Sequence, residues 1–329
     1  MTLRRRAYSS GLRPRTRVAP AVVSIGNLEV GGTGKTPVTA WLARRLVSAG
    51  LKVSVVARDL NRRTGGAVEF RPGSGSAGAE SDEVLLLASM LPCCRIFTGP
   101  SKTAAAVLAA SEAAPDVILV DDGFQHLALY RDLDIVVLDF EKPLGTGGVL
   151  PGGTLREHPQ ALSAADCFWV NRVTRGRSTG WLAKVLGSFS RHACMVTSRP
   201  VPVALELPGG GSVDPRGLRV VAFCGIARPS SFRDALEEAG CIVEGFHAFP
   251  DHHRYTPSDL VGLEAERRSA RADLLVTTCK DSVKTGMPGL RLNICALRIE
   301  LEVAGESDSL VGRIVAQASG RIAGGQHPL

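Results

Sequence analysis

The stretch Val22–Pro37, reading VVSIGNLEVGGTGKTP, constrains this chain more than any other. An apolar run of strand length enters a glycine-rich turn, then Gly34-Lys35-Thr36, then a helical pattern over Pro37–Ala49 that Gly50 stops. Phosphate groups need this order of parts. Glycines let backbone N–H groups wrap phosphate oxygens, a helix N-terminus adds positive potential, a lysine bridges phosphates, and a threonine hydroxyl holds Mg²⁺. Glu29, Val30, Gly31, Gly32, Thr33, Gly34, Lys35 and Thr36 are therefore the expected nucleotide site. Glu29 stands where the GxxxxGK[ST] pattern has its first glycine, and Gly31 and Gly32 supply the flexibility instead. An ordinary glycine-rich turn is the competing reading.

Around this loop, strand-like runs alternate with helical patterns. Strands are expected at Lys52–Ala57, Cys94–Thr98, Val117–Val120, Ile135–Leu138 and Cys167–Val170, with helices at Glu83–Met90 and Lys102–Glu112. Asn61–Ala79, rich in Gly, Arg and Ser, reads as a mobile loop. After Pro200 the rhythm repeats: a Gly/Pro-rich break at Leu207–Pro215, strands at Val220–Phe223, Cys241–Phe246 and Leu274–Thr277, and helices at Ser231–Ala239 and Pro257–Ser269. Such alternation predicts an α/β fold, a parallel sheet with helices on both faces. The 329 residues fit two domains, 1–200 and a smaller α/β unit over 201–329 that closes over the active site. The long extended runs Met195–Glu206 and Ile294–Val303 are expected to pair as a two-stranded connector.

Composition excludes several classes. With 44% hydrophobic and 22% charged residues the chain is not disordered. No run reaches the roughly 18 consecutive apolar residues of a membrane-spanning helix. The eight cysteines lack zinc-type spacing and read as reduced thiols, hence a cytoplasmic location. Aromatic residues, at 5%, give little for base stacking, and no nucleic-acid partner is expected. The net charge of +7 is concentrated in Arg4, Arg5, Arg6, Arg13, Arg15 and Arg17. These suit a solvated terminus, a contact with an anionic membrane surface, or an organelle presequence, and the sequence leaves all three open.

A second chemical signal is the apolar run Val117–Val120 ending in Asp121-Asp122, where strand-end carboxylates hold Mg²⁺ in phosphate-loop folds. Its continuation, DDGFQHLALYRDLDIVVLD over Asp121–Asp139, taken with GNLEVGGTGKTP, resembles the tetraacyldisaccharide 4'-kinases of lipid A biosynthesis. The segments LPGGTLREHP (Leu150–Pro159), GIARPSSF (Gly225–Phe232), FPDHHRYT (Phe249–Thr256) and Val276–Lys284 extend the resemblance from Ala19 to Val303. It implies a P-loop kinase that transfers the ATP γ-phosphate to the 4'-hydroxyl of an acylated glucosamine disaccharide 1-phosphate, at the inner face of the cytoplasmic membrane.

The resemblance also implies roles. Asp82 is the general base, assisted by His252. Lys35 and the loop amides hold the donor, with Mg²⁺ on Thr36 and Asp121 or Asp122. Arg156 and Glu157 handle ATP or Mg²⁺, and His126 lines the cleft. Bland readings stand beside these: a helix cap for Asp82, a surface turn or a metal ligand for His252 and His253, a surface ion pair for Arg156 and Glu157. The chain departs from the family at Arg58-Asp59-Leu60-Asn61, at Val84, at Thr146 and at Cys279. A phosphate-loop ATPase switch and a nucleotide-binding relative without catalysis are the alternatives. A switch needs no acceptor site such as the DHH segment, and no convincing [NT]KxD signature for GTP is present.

Overall fold

The computed structural model describes residues 3–58, 66–71, 81–285 and 292–324. The chain divides into two compact units, Met1–Arg199 with Leu301–Leu329, and Pro200–Glu300.

The first unit runs α1 (Leu3–Ser9), β1 (Ala21–Gly26), α2 (Lys35–Ser48), β2 (Val53–Arg58), β3 (Val68–Phe70), α3 (Asp82–Met90), β4 (Arg95–Gly99), α4 (Lys102–Ala113), β5 (Val117–Asp121), β6 (Leu133–Asp139), β7 (Cys167–Asn171), α5 (Gly180–Phe189) and the start of β8 (Cys194–Glu206). Across its sheet the order is β8-β7-β6-β1-β5-β2-β4-β3. Every pair is parallel except β3 with β4.

Strand periodicity explains the layers. Val23, Ile25, Val55, Leu119 and Ile135 point into a core shared with α2, while Val22, Val56, Ile118 and Val120 point into a second core with α4. Successive side chains of one strand face opposite sides, so strands with no polar face require helices on both. This matches the α/β expectation.

The second unit contains β9 (Ser212–Val213), β10 (Arg219–Cys224), α6 (Pro229–Glu238), β11 (Ile242–Ala248), α7 (Pro257–Ser269), β12 (Leu274–Thr278) and α8 (Cys279–Ser282). The strand β13 (Ile294–Gly305) begins in this unit and ends in the first, and α9 (Ser307–Gly324) follows it. Here β10 pairs in parallel with both β11 and β12, and β12 with β13. The two long runs are β8 and β13, and they are hydrogen-bonded neighbours as expected.

Where the linear reading assigned all of 201–329 to the second domain, the structure returns the carboxyl-terminal segment to the first unit. Leu310, Ile314 and Ala318 of α9, spaced four apart, are fully buried in the same core as α2 and β1. This stripe at helical period is present in the sequence but was not read there, nor was that of Leu182 and Leu186 on α5. The expected loop Asn61–Ala79 contains β3, and its parts at 61–65 and 72–79 lie outside the described residues. The amino-terminal arginines do not form a frayed terminus throughout. Arg5 of α1 is buried, Thr16 N donates to Ala128 O and Tyr130 N to Thr16 O.

Candidate functional site

In an open parallel sheet, loops leaving the carboxyl ends of neighbouring strands meet on one edge. β6, β1 and β5 are neighbours, and β7 follows β6. Their ends carry Asp139, Gly26 with the glycine-rich loop, Asp121 and Asn171.

The loop after β1 is held from behind by its carbonyls. Asn171 Nδ2 donates to Thr33 O (3.0 Å), Arg172 Nη2 to Gly32 O (2.6 Å), and Asn27 Nδ2 to Glu29 O (2.7 Å). Arg172 is itself fixed by Asp139 at 2.5 Å. Gly34 caps α2 in the left-handed region at φ 88°, and a Cβ there would stand 2.2 Å from Asn171 Nδ2. The cap residue Gly34 has no side chain to accept from the first N–H groups of α2, those of Lys35 and Thr36, which suits a phosphate ligand. At Gly31 and Gly32 no described atom comes within 4 Å of where a Cβ would be. Such a cradle of amides with an open lip fits the phosphates of ATP.

The two aspartates have different duties. Asp121 is buried and accepts from Thr39 Oγ1 of α2 (2.9 Å), and burial raises its pKa. Asp122 sits at φ 51° with three cations around it. Lys35 Nζ lies 3.4 Å from its Oδ1, Arg156 Nη1 donates to both carboxylate oxygens (3.0 and 2.9 Å), and the ammonium of Lys102 donates to its backbone carbonyl. Burial alone would push this carboxyl up, but Lys35, Lys102 and Arg156 outweigh it and hold it at about 2. Asp122 is therefore an anion at any working pH, pre-placed among cations suited to polyphosphate.

No group of three or more His, Cys, Asp or Glu side chains among the described residues is arranged to hold a metal. Mg²⁺ at phosphate-transfer sites typically takes one or two carboxylates plus phosphate oxygens and water, so a threonine hydroxyl and one ionised carboxylate suit it.

His126 accepts or donates at 2.9 Å with Thr103 Oγ1. Burial, followed by the nearby cations Lys102 and Arg131, lowers its imidazole to about 4 from the ordinary 6.5. The unfolded chain then binds more protons than the folded one between those values, so stability is full above pH ~6.5 and falls towards pH ~4. The thermal midpoint should drop across that window, and His126→Gln should flatten this part of the profile in a pH series of calorimetric melts.

Asp82 is the first residue of α3, and Ser81 stands before it at the cap position. In the second unit, the turn after β11 carries Asp251, His252 and His253. His253 stacks on Phe249 at 4.6 Å and bonds Asp259 Oδ2 (3.1 Å), the residue that completes the capping box of α7 with Thr256. That is a structural role. His252, half-exposed at φ 62°, lies 3.4 Å from Lys280 Nζ, and Lys280 also pairs with Asp251 at 3.1 Å. Nearby, buried Asp281 accepts from Gly225 N (2.9 Å) and Thr278 Oγ1 (2.8 Å) and pairs with Lys284 (3.1 Å), which ties the start of GIARPSSF to the Val276–Lys284 segment. Cys279 is accommodated as a neutral thiol: it donates to Leu297 O, and burial raises it to about 11.

The family model described as tetraacyldisaccharide-1-P 4'-kinase matches residues 1–318. This chain belongs to that family. The tetraacyldisaccharide 4'-kinase of Anaeromyxobacter dehalogenans strain 2CP-C is 37% identical over 321 residues, 94% of this chain and 84% of its own length. That of Geobacter metallireducens is 39% identical over 304 residues, 89% and 86%. A crystal structure of LpxK from Aquifex aeolicus in complex with ATP superposes with a TM-score of 0.75 at 26% identity, covering 96% of this chain and 93% of that one.

For a member of the tetraacyldisaccharide-1-P 4'-kinase family, the sequence reading overlooked several residues that shape the loop. Lys102 left a signal, since a cation in the first turn of a helix opposes the dipole and needs another reason to be there. Asn171 and Arg172 carry no local pattern, and Asp139, though it ends an apolar run, gives no sign of its arginine partner. Asn171 and Arg172 reach the loop, and Asp139 reaches Arg172, only because β6 lies beside β1 and β7 beside β6.

Proposed function

We propose that this chain is an ATP-dependent kinase that phosphorylates the 4'-hydroxyl of a tetraacylated glucosamine disaccharide 1-phosphate. Membership of the kinase family carries the reading. The glycine-rich cradle with Asp122 among Lys35, Lys102 and Arg156 supports a phosphate donor there. Thr36, Asp121 and Asp122 would hold Mg²⁺, which when bound neutralises charge on the phosphate oxygens. Lys35 and the α2 amides orient the γ-phosphate, and Arg156 keeps Asp122 in place. Asp82 takes the proton of the sugar hydroxyl, with His252 assisting it. Thin-layer chromatography with labelled ATP and the acylated disaccharide monophosphate tests the reaction. A labelled bisphosphorylated lipid is expected, and ATP hydrolysis without lipid labelling would favour the switch reading.

No helix among the described residues is long and apolar enough to cross a membrane. With exposed Arg4 and Arg6 on α1 and an acylated substrate, we place the enzyme peripherally at the inner face of the cytoplasmic membrane. Each basic residue near an anionic surface contributes about 1 kcal/mol, screened within a Debye length. Co-sedimentation with anionic vesicles should therefore be strong at low salt and weak at high salt. Salt-independent binding, or none at low salt, counts against this placement.

A further inference from the structure

We infer that Arg5 is a positioning residue for the donor site, a guanidinium staple between the loop after β5 and the loop carrying Arg156 and Glu157. The inference rests on the donor-site reading above.

Of three consecutive arginines on α1, Arg4 and Arg6 are exposed and Arg5 is 3% exposed. A guanidinium is costly to bury unless its donors are satisfied. Arg5 Nε donates to Glu157 Oε2 (2.5 Å), and Nη2 donates to Glu157 Oε1 (3.1 Å) and to Phe124 O (3.0 Å). The guanidinium also lies over the Phe124 ring, 4.1 Å from its centroid. One side chain thus grips two loops.

Each loop leads directly to the donor site. Phe124 is two residues beyond Asp122 and is backed by Gly26 at the end of β1, where a Cβ would come within 2.5 Å of Phe124 Cβ. Glu157 follows Arg156, whose guanidinium holds both oxygens of Asp122. Arg5 therefore sets the separation of the loops whose side chains, Asp122 and Arg156, are paired. Both oxygens of Glu157 accept from Arg5, so the staple also fixes the orientation of this carboxylate. A lysine cannot replace Arg5: an ammonium lacks the planar fork that binds two carboxylate oxygens while stacking on a ring.

The test uses the full chain as Arg5→Ala, Arg5→Lys, Glu157→Gln and the Arg5→Ala/Glu157→Gln double variant. Readouts are the ATP KM and kcat at fixed Mg²⁺, and the affinity for a fluorescent ADP analogue. Arg5→Ala and Arg5→Lys should each raise the ATP KM and weaken the analogue about tenfold. Guanidinium ion at millimolar concentration should restore part of the loss in Arg5→Ala and none in Glu157→Gln. The double variant should be no worse than Glu157→Gln alone, since partners in one unit are not additive.

Multiplicative losses, full activity in Arg5→Lys, or unchanged nucleotide affinity with lost vesicle binding would each overturn the staple. If Arg5→Ala does not fold, Arg5→Lys and Glu157→Gln decide: matched rises in ATP KM support the staple, and unchanged values reject it. Absence of lipid phosphorylation by the unaltered enzyme would sink the acceptor reading. The analogue titrations would still judge Arg5.

Discussion

Lys35→Ala lowers kcat/KM by roughly 10²-fold or more, a loss of charge stabilisation in the transition state. The expectation rests on where the ammonium stands. Its side chain is largely buried beside the α2 N-terminus, 3.4 Å from Asp122 Oδ1, in the loop whose carbonyls Asn171 and Arg172 restrain. Those restraints do not involve the lysine side chain, so the cradle should survive and the circular dichroism spectrum should not change. A second signature follows from the electrostatics. Lys35 exerts the strongest single Coulombic pull among the cations that depress Asp122. Without it the carboxyl rises from about 2, and any acid limb that depends on Asp122 moves to higher pH. Steady-state kinetics across pH test both effects. Near-normal turnover in Lys35→Ala would remove the loop from the mechanism.

The second large effect concerns the proposed base. Asp82→Asn keeps size and hydrogen bonding while removing the basic oxygen, and kcat should fall roughly 10²–10⁴-fold, the usual range for general acid–base catalysis. The helix should tolerate it, because asparagine at the first position of α3 keeps the volume and an acceptor oxygen of the aspartate. For His252 the sound variant is asparagine. The residue sits at φ 62°, a left-handed conformation that asparagine accepts better than alanine, so backbone strain does not mimic a catalytic defect. ATP affinity should be nearly unchanged in Asp82→Asn, in His252→Asn and in the double variant, since the proposed donor groups are Lys35, the loop amides and Asp122. If the two side chains act together, the double variant loses less than the product of the single losses. Fully multiplicative losses reject the shared base. An Asp82→Asn enzyme that stops binding ATP makes Asp82 a donor-site or structural carboxylate.

Lys35 and Asp122 were legible because each stands in a local pattern, a glycine-rich turn between strand and helix and a carboxylate pair at a strand end, whereas Arg156 was singled out by the family resemblance. Arg5 was legible only as one of six cations near the start of the chain, with nothing to separate it from Arg4 or Arg6. Lys102 offered a weaker hint, at the wrong end of a helix. The resemblance alone singled out His252 over His253 in the sequence, and packing against Phe249 and Asp259 gives His253 a part in the fold.

The sequence by itself therefore determined the α/β architecture, the candidate nucleotide loop and the family resemblance. Strand and helix periods and the glycine spacing are properties of contiguous residues, and they survive in one dimension. Only the tertiary structure decided which carbonyls of the loop are tied back, that α9 belongs to the first unit, and that Arg5 reaches Glu157 across 152 positions. These depend on strand order and on burial. A guanidinium acquires its meaning from the carboxylate and the ring that burial presses against it, and those neighbours are set by folding, not by sequence distance.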